Sequence, residues 1–246
     1  MWSLLRKEIS SFFSSLIGYM VIVIFLLANG LFIWVFPGGM NILESGYASL
    51  DPLFDFAPWV FLFLVPALTM RLFAEEKRNG TLELLLTRPL REYELVLAKY
   101  LAGLVLVILS LLPGIVYYIS VYQLGAPAGN IDTGGTLGSY VGLFFLSAIY
   151  VALGTFSSSI TDNQIVAFLL AVVLSFVFYT GFDSLAALSI WGQQQYIVES
   201  LGINNHYMSM SRGVIDSRDL VYFLSVIAFF LYSTQLVITR SITTKA

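Results

Sequence analysis

The chain has 246 residues, of which 58% are apolar and only 11% charged, with a net charge of −3 and a mean hydropathy of +0.86. A soluble domain carries about 25% charged residues, so this composition excludes a water-facing surface of ordinary size, and its hydrophobicity excludes disorder. With no cysteine and a single histidine, His206, disulfide frameworks, thiolate metal sites, cysteine nucleophiles and His-rich clusters are excluded, and the acidic balance leaves no footprint for nucleic acid.

The composition is that of an all-α integral membrane protein. A spanning helix needs about 20 apolar residues. Runs nearly free of charge predict six spans, over 16–36, 54–74, 95–122, 138–158, 164–185 and 219–239. Together they make 1–246 a single membrane domain. Its polar sequence gathers in two places, a region over 75–93 and another over 186–218.

Residues 1–15 come first. Trp2, Leu5, Ile9, Phe12, Phe13 and Leu16 recur at helical spacing, with Ser3, Arg6, Lys7, Ser10 and Ser14 between them. That pattern predicts an amphipathic helix lying in the membrane interface; the alternative is a plain extension of the first span. The apolar run that follows is longer than the h-region of a signal peptide and has no clear small-residue cleavage site after it, so it reads as a retained span.

Between the second and third spans, Gly80 ends one helical segment and Thr81 is placed to cap another. Glu83 falls in the first turn, where the helix dipole favours an acid. Leu82, Leu85 and Leu86 supply a short apolar face, and Pro89 stops the helix. A helix of about two turns is not stable alone in water. It must lie on the protein's own underside or dock into a separate protein.

The third span carries Pro113 and Gly114 at its middle, which predicts a kink serving as static packing or as a hinge. Tyr117, Tyr118 and Tyr122 follow it. Between spans five and six, the sequence is too polar to span but keeps Ile190, Trp191, Tyr196, Ile197, Leu201, Ile203, Tyr207, Met208 and Met210. Short helices forming a hairpin in the outer interface are expected. His206, Met208 and Met210 are spaced two apart and would share a face of an extended segment. Imidazole with thioethers suits Cu(I); the plainer reading packs the methionines on lipid or a neighbouring span.

Orientation follows from Lys and Arg in short loops. Arg6, Lys7, Arg71, Lys77, Arg78, Arg88, Arg91, Lys99, Arg240 and Lys245 fall on one side, and only Arg212 and Arg218 on the other. Both termini are therefore expected in the cytoplasm. None of the four lysines completes a G-x-x-x-x-G-K-[ST] loop, so ATP chemistry would belong to another polypeptide. Among the alternatives, a zinc-dependent intramembrane protease would need a second histidine. Glu75-Glu76 begins an E-E-x-x-x-R pattern that Gly80 breaks. A secondary transporter would bury ionisable residues at mid-span, whereas Asp55, Asp183, Arg71 and Lys99 lie near span ends.

The run Glu75-Glu76-Lys77-Arg78, Gly80-Thr81-Leu82-Glu83, Leu85-Leu86, Pro89 and Lys99 resembles the permease subunits of the ABC-2 class of ABC transporters. Six spans, cytoplasmic termini, an N-terminal interfacial helix and an outer hairpin extend the resemblance over most of the chain. The resemblance implies that Gly80, Thr81, Leu82, Glu83, Leu85, Leu86 and Pro89 form a cytoplasmic coupling helix seated in an ATP-binding cassette subunit. It implies no cofactor on this chain, since the partner binds ATP. It also implies a homodimer or a pairing with a second membrane subunit, in a bacterial inner membrane.

A narrower resemblance is to the gliding-motility-associated ABC permease subunit of Bacteroidetes. It is carried by WSLLRKEISSFFSSLIGY (2–19), FAEEKRNGTLELLLTRPL (73–90), LAKYLAG (97–103), GSYVGLFFL (138–146), SSSITDNQIVAF (157–168) and SRGVIDSRDLVYF (211–223). It implies an auxiliary gliding-associated subunit. The permease associated with copper-enzyme maturation in denitrifiers is a more distant relative with the same plan.

Overall fold

The computed structural model describes residues 1–82, 91–188, 192–213 and 216–243. Every regular element among them is helical. Six helices are long and apolar enough to cross a membrane: Leu16–Val35, Asp51–Arg78, Glu92–Leu124, Thr133–Ile160, Gln164–Ala186 and Ser217–Arg240. Each predicted span is present, and most run past their predicted ends because polar residues cap them. Pro52 sits in the first turn of the second span, where a missing N–H breaks no bond. The Arg91 N–H donates to Glu94 Oε2 at 3.1 Å where the third span begins. Asp132 accepts from the Gly135 N–H at 2.9 Å, and Asn163 from the Ile165 N–H at 2.9 Å, at the starts of the fourth and fifth.

The N-terminal helix, Trp2–Ser14, is separate from the first span. Ser15 between them is extended, at φ −103° and ψ 156°. Its packed face consists of Leu4, Leu5, Glu8 and Phe12, whereas Trp2 is 78% exposed. The face is therefore turned from the one its apolar residues predict, and the reason is Glu8, which has a buried partner.

Spans two, three and four form the interior, and spans one, five and six turn most of their surface outward. The interior helices meet closely. A methyl group at Gly154 would run into the Thr69 hydroxyl, and small residues at such crossings are what let membrane helices approach. A second apolar cluster, with Leu4, Leu5, Phe12, Leu72, Leu82, Leu95 and Ile238, seats the N-terminal helix against the ends of spans two, three and six.

The third span narrows to a 3-10 turn over Leu112–Gly114. The kink is braced on two sides: the Tyr140 hydroxyl donates to Gly114 O at 2.7 Å, and the Tyr117 hydroxyl to Leu26 O at 2.8 Å.

The region between spans five and six forms short helices, Gln195–Glu199 and Ile203–Ser211. The Tyr207 hydroxyl donates to Phe54 O at 2.7 Å and pins the second helix to span two. Here the copper reading fails. Residues 206–210 are helical, not extended, so Met208 is turned away from His206 and Met210. Met210 is fully buried, Met208 is exposed, and the imidazole is already engaged. Its Nδ1 lies 2.7 Å from Asp219 Oδ1 and its Nε2 3.0 Å from Ser200 O.

Candidate functional site

Beyond Thr69 the second span passes through Met70, where its hydrogen-bond ladder is interrupted, into an eight-residue arm, Arg71–Arg78. The arm is amphipathic. Leu72, Phe73 and Ala74 are buried, while the remaining positions carry charge. Lys77 and Arg78 in its last turn suit the negative end of the helix dipole. It ends at Asn79 and Gly80. Gly80 has φ +67°, the left-handed conformation that glycine adopts without penalty and that commonly terminates helices.

At the centre of this region is Lys99, only 1% exposed, near the start of the third span. Its Nζ is 2.9 Å from Glu76 Oε1 on the arm and 3.2 Å from Glu8 Oε1 on the N-terminal helix. It also lies 5.2 Å from the centre of the Phe73 ring. A buried ammonium is tolerated only when carboxylates replace its lost water, and here two converge on it from different elements. Lys7 approaches both acids at 3.8–4.0 Å but is largely solvated and contributes little. Arg71 adds a second tie. Its guanidinium donates to Ser15 Oγ at 3.0 Å and sits 4.8 Å over the Phe12 ring.

These contacts join the N-terminal helix, the arm and the third span into one charged joint. A cavity of ≈ 350 Å³ opens among them, bordered by Lys7, Glu8, Arg71, Glu76 and Lys99, with Thr81 at its edge.

The segment expected to dock elsewhere starts at this joint. Gly80 and Thr81 are exposed, and the Thr81 hydroxyl reaches back to Glu76 O at 3.4 Å. Leu82 is 6% exposed and packs within the chain's own second cluster, so this leucine is not presented outward as the expected anchor. Glu83, Leu85, Leu86 and Pro89 lie outside the described residues. Pro113 and Gly114 belong to the middle of the third span and take no part in the joint.

Sequence reading missed Glu8, Glu76 and Lys99 as a unit. It treated Glu75-Glu76 as loop and Lys99 as a boundary residue. One signal was available: Glu8 stands in register with Leu4 and Phe12, an acid on the packed face of an amphipathic helix. Such an acid needs a buried cation, and Lys99 is the lysine closest to a span's apolar run.

Residues 41–194 match the family model described as ABC-2 family transporter protein. The match covers the arm and Lys99 and begins after the N-terminal helix. No curated protein matches the chain.

Proposed function

The chain belongs to the ABC-2 transporter family as a multi-pass permease, and on that premise we propose that a separate ATP-binding cassette subunit drives it by docking at the charged joint. The observation that carries this reading is the buried Glu8–Lys99–Glu76 bridge. It binds the root of the 80–89 segment to two further elements, so a displacement of that segment is passed to the N-terminal helix and to the third span together. Rigid helices then carry the motion along the bundle. ATP is bound and hydrolysed by the partner, and this chain supplies the path. The Pro113–Gly114 turn is the proposed bending point of the third span.

One six-span chain supplies half of the expected membrane assembly, so the permease pairs with a second copy or a second membrane subunit. The excess of Lys and Arg at the joint end supports placing that end, with both termini, in the cytoplasm of a bacterial inner membrane. The segments shared with the gliding-motility-associated permease support a role in surface motility, with an auxiliary subunit of that system as a further partner.

Docking is tested at Leu85 and Leu86. Each leucine contributes about 1.5–3 kcal/mol if fully buried by a partner. Losing both removes roughly 3–6 kcal/mol, more than a hundredfold in affinity. Leu85→Asp with Leu86→Asp is expected to abolish co-purification of the ATP-binding subunit, and with it gliding of the cells. Leu82 is left unchanged because it is part of the fold. Binding of that subunit with undiminished affinity would make the segment a membrane-surface connector.

Sidedness is tested separately. Single cysteines are placed in this cysteine-free chain at the exposed Asn79 and Asn130. A thiol reagent that cannot cross membranes should label position 130 in sealed cells and position 79 only after permeabilisation. The opposite pattern inverts the topology.

A further inference from the structure

We propose that Ser158 is the pivot on which the arm Arg71–Arg78 tilts, a positioning residue that keeps the arm hydrogen-bonded while it moves. The inference rests on the reading that a partner displaces the segment beyond Gly80.

The hydrogen-bond ladder of the second span is interrupted at Met70, between Asp51–Thr69 and Arg71–Arg78, while Met70 itself keeps helical dihedrals, φ −53° and ψ −28°, and gives its N–H to Pro66 O at 2.9 Å. Pro66 lies one turn before the break and has no N–H to give to the helix ladder. The Thr69 hydroxyl turns back to Val65 O at 2.8 Å and offers nothing to the arm. Backbone N–H groups at the start of a helix need partners from outside its own ladder, and Phe73 and Ala74 are fully buried, so water does not supply theirs.

Ser158, from the fourth span, does. Its Oγ accepts from the Phe73 N–H at 2.9 Å and the Ala74 N–H at 3.1 Å, and donates to Met70 O at 2.9 Å. These three bonds fill the one donor and two acceptor positions of a hydroxyl. They also straddle the break, with Met70 on one side and Phe73 and Ala74 on the other. Ser158 is fully buried.

A hydroxyl is a turning partner. Its C–O bond reorients, so the two N–H groups can swing about the oxygen and stay satisfied, which the fixed ladder of an unbroken helix does not permit. The fourth span is suited to hold that point still, being the most deeply buried of the six. It grips the second span at three successive levels: Gly154 against Thr69, Ser158 across the break, and Ser159 O accepting from the Lys77 ammonium. The arm's far end meets Lys99 and Lys7 through Glu76. A tilt about Ser158 therefore moves the charged joint against a stationary fourth span.

Two measurements test this. In the purified permease alone, the Phe73 and Ala74 amides should be protected from hydrogen exchange. Ser158→Ala, or Ser158→Cys where alanine impairs folding, should speed their exchange about tenfold and leave the rest of span two unchanged. Protection as strong as in the unmodified chain overturns the pivot whatever the partner does.

In the complex with the ATP-binding subunit, spin labels at Asn79 and Ile160 report the distance from the arm's end to span four. ATP with vanadate should shift that distance in the unmodified background. Ser158→Ala should lose the shift while the subunit still co-purifies, and Ser158→Thr, which keeps the hydroxyl, should restore it. An unaltered shift in Ser158→Ala, or a docked complex whose arm does not move, overturns the pivot. Failure of the unmodified permease to bind the subunit overturns the docking reading instead, and the exchange measurement then decides the pivot alone.

Discussion

Replacing Lys99 with Met is expected to destabilise the folded chain by about 3–5 kcal/mol, the loss typical when one partner of a buried ion pair is removed. The methionine fills the stem's volume, so the loss is electrostatic. Glu8 and Glu76 then face each other across a site with no buried cation, and Lys7 is too solvated to replace Lys99. Adding Glu8→Gln and Glu76→Gln to Lys99→Met should recover much of the loss, because both buried carboxylates are then neutral and Lys7, the cation left behind, is solvated. Unfolding of the purified protein by heat or by increasing SDS measures both variants. Lys99→Met unfolding at the same point as the parent would show the cluster to be solvated and would remove the physical basis for a rigid joint. The effect should also resist salt, because ions screen solvent-exposed charges and reach buried ones poorly.

Gly154→Val is the second large effect. A branched side chain would be forced into the space of the Thr69 hydroxyl and methyl, where two interior spans cross. Overpacking of this kind costs about 1–3 kcal/mol and sometimes more. Gly154→Ala should be milder but in the same direction. Combining Gly154→Ala with Thr69→Ala should recover part of the loss, since the second change removes the hydroxyl and methyl that the new Cβ meets but leaves the Cβ of position 69, at 2.8 Å, in its way. Thr69 gives up only bonds to its own helix, from Oγ1 to Val65 O and to Pro66 O. The two changes must therefore be non-additive, as expected of residues in direct contact. Additive losses would mean that the crossing relaxes apart. The same SDS titration would show this, and the arm should lose its fixed position, since Ser158 lies one turn along the fourth span from Gly154.

What the sequence determined by itself is the set of spans and their order, with most ends short by up to five residues. Partition of a helix into a membrane depends on the summed polarity of its own residues, and its backbone bonds are internal, so neither quantity waits on a distant partner. The turn at Pro113 and the caps at Asp132 and Asn163 are legible for the same reason. Each acts on backbone within a few residues of itself. Only the tertiary structure decided which polar residues are buried and what they meet. Lys99 and Glu8 are 91 positions apart, and Ser158 and Phe73 are 85 apart. A serine near the end of an apolar helix has the same local signature whether it faces lipid or bridges a broken neighbour. Leu82 reads as an outward anchor in its segment, yet the N-terminal helix and span ends offer a closer apolar surface and it turns inward. His206 with two methionines suggested soft metal ligands only while the backbone was taken as extended; once helical, the ring is claimed by Asp219 and Ser200. In each case the deciding quantity is the desolvation of a single side chain, and that depends on the neighbours the packed spans bring to it.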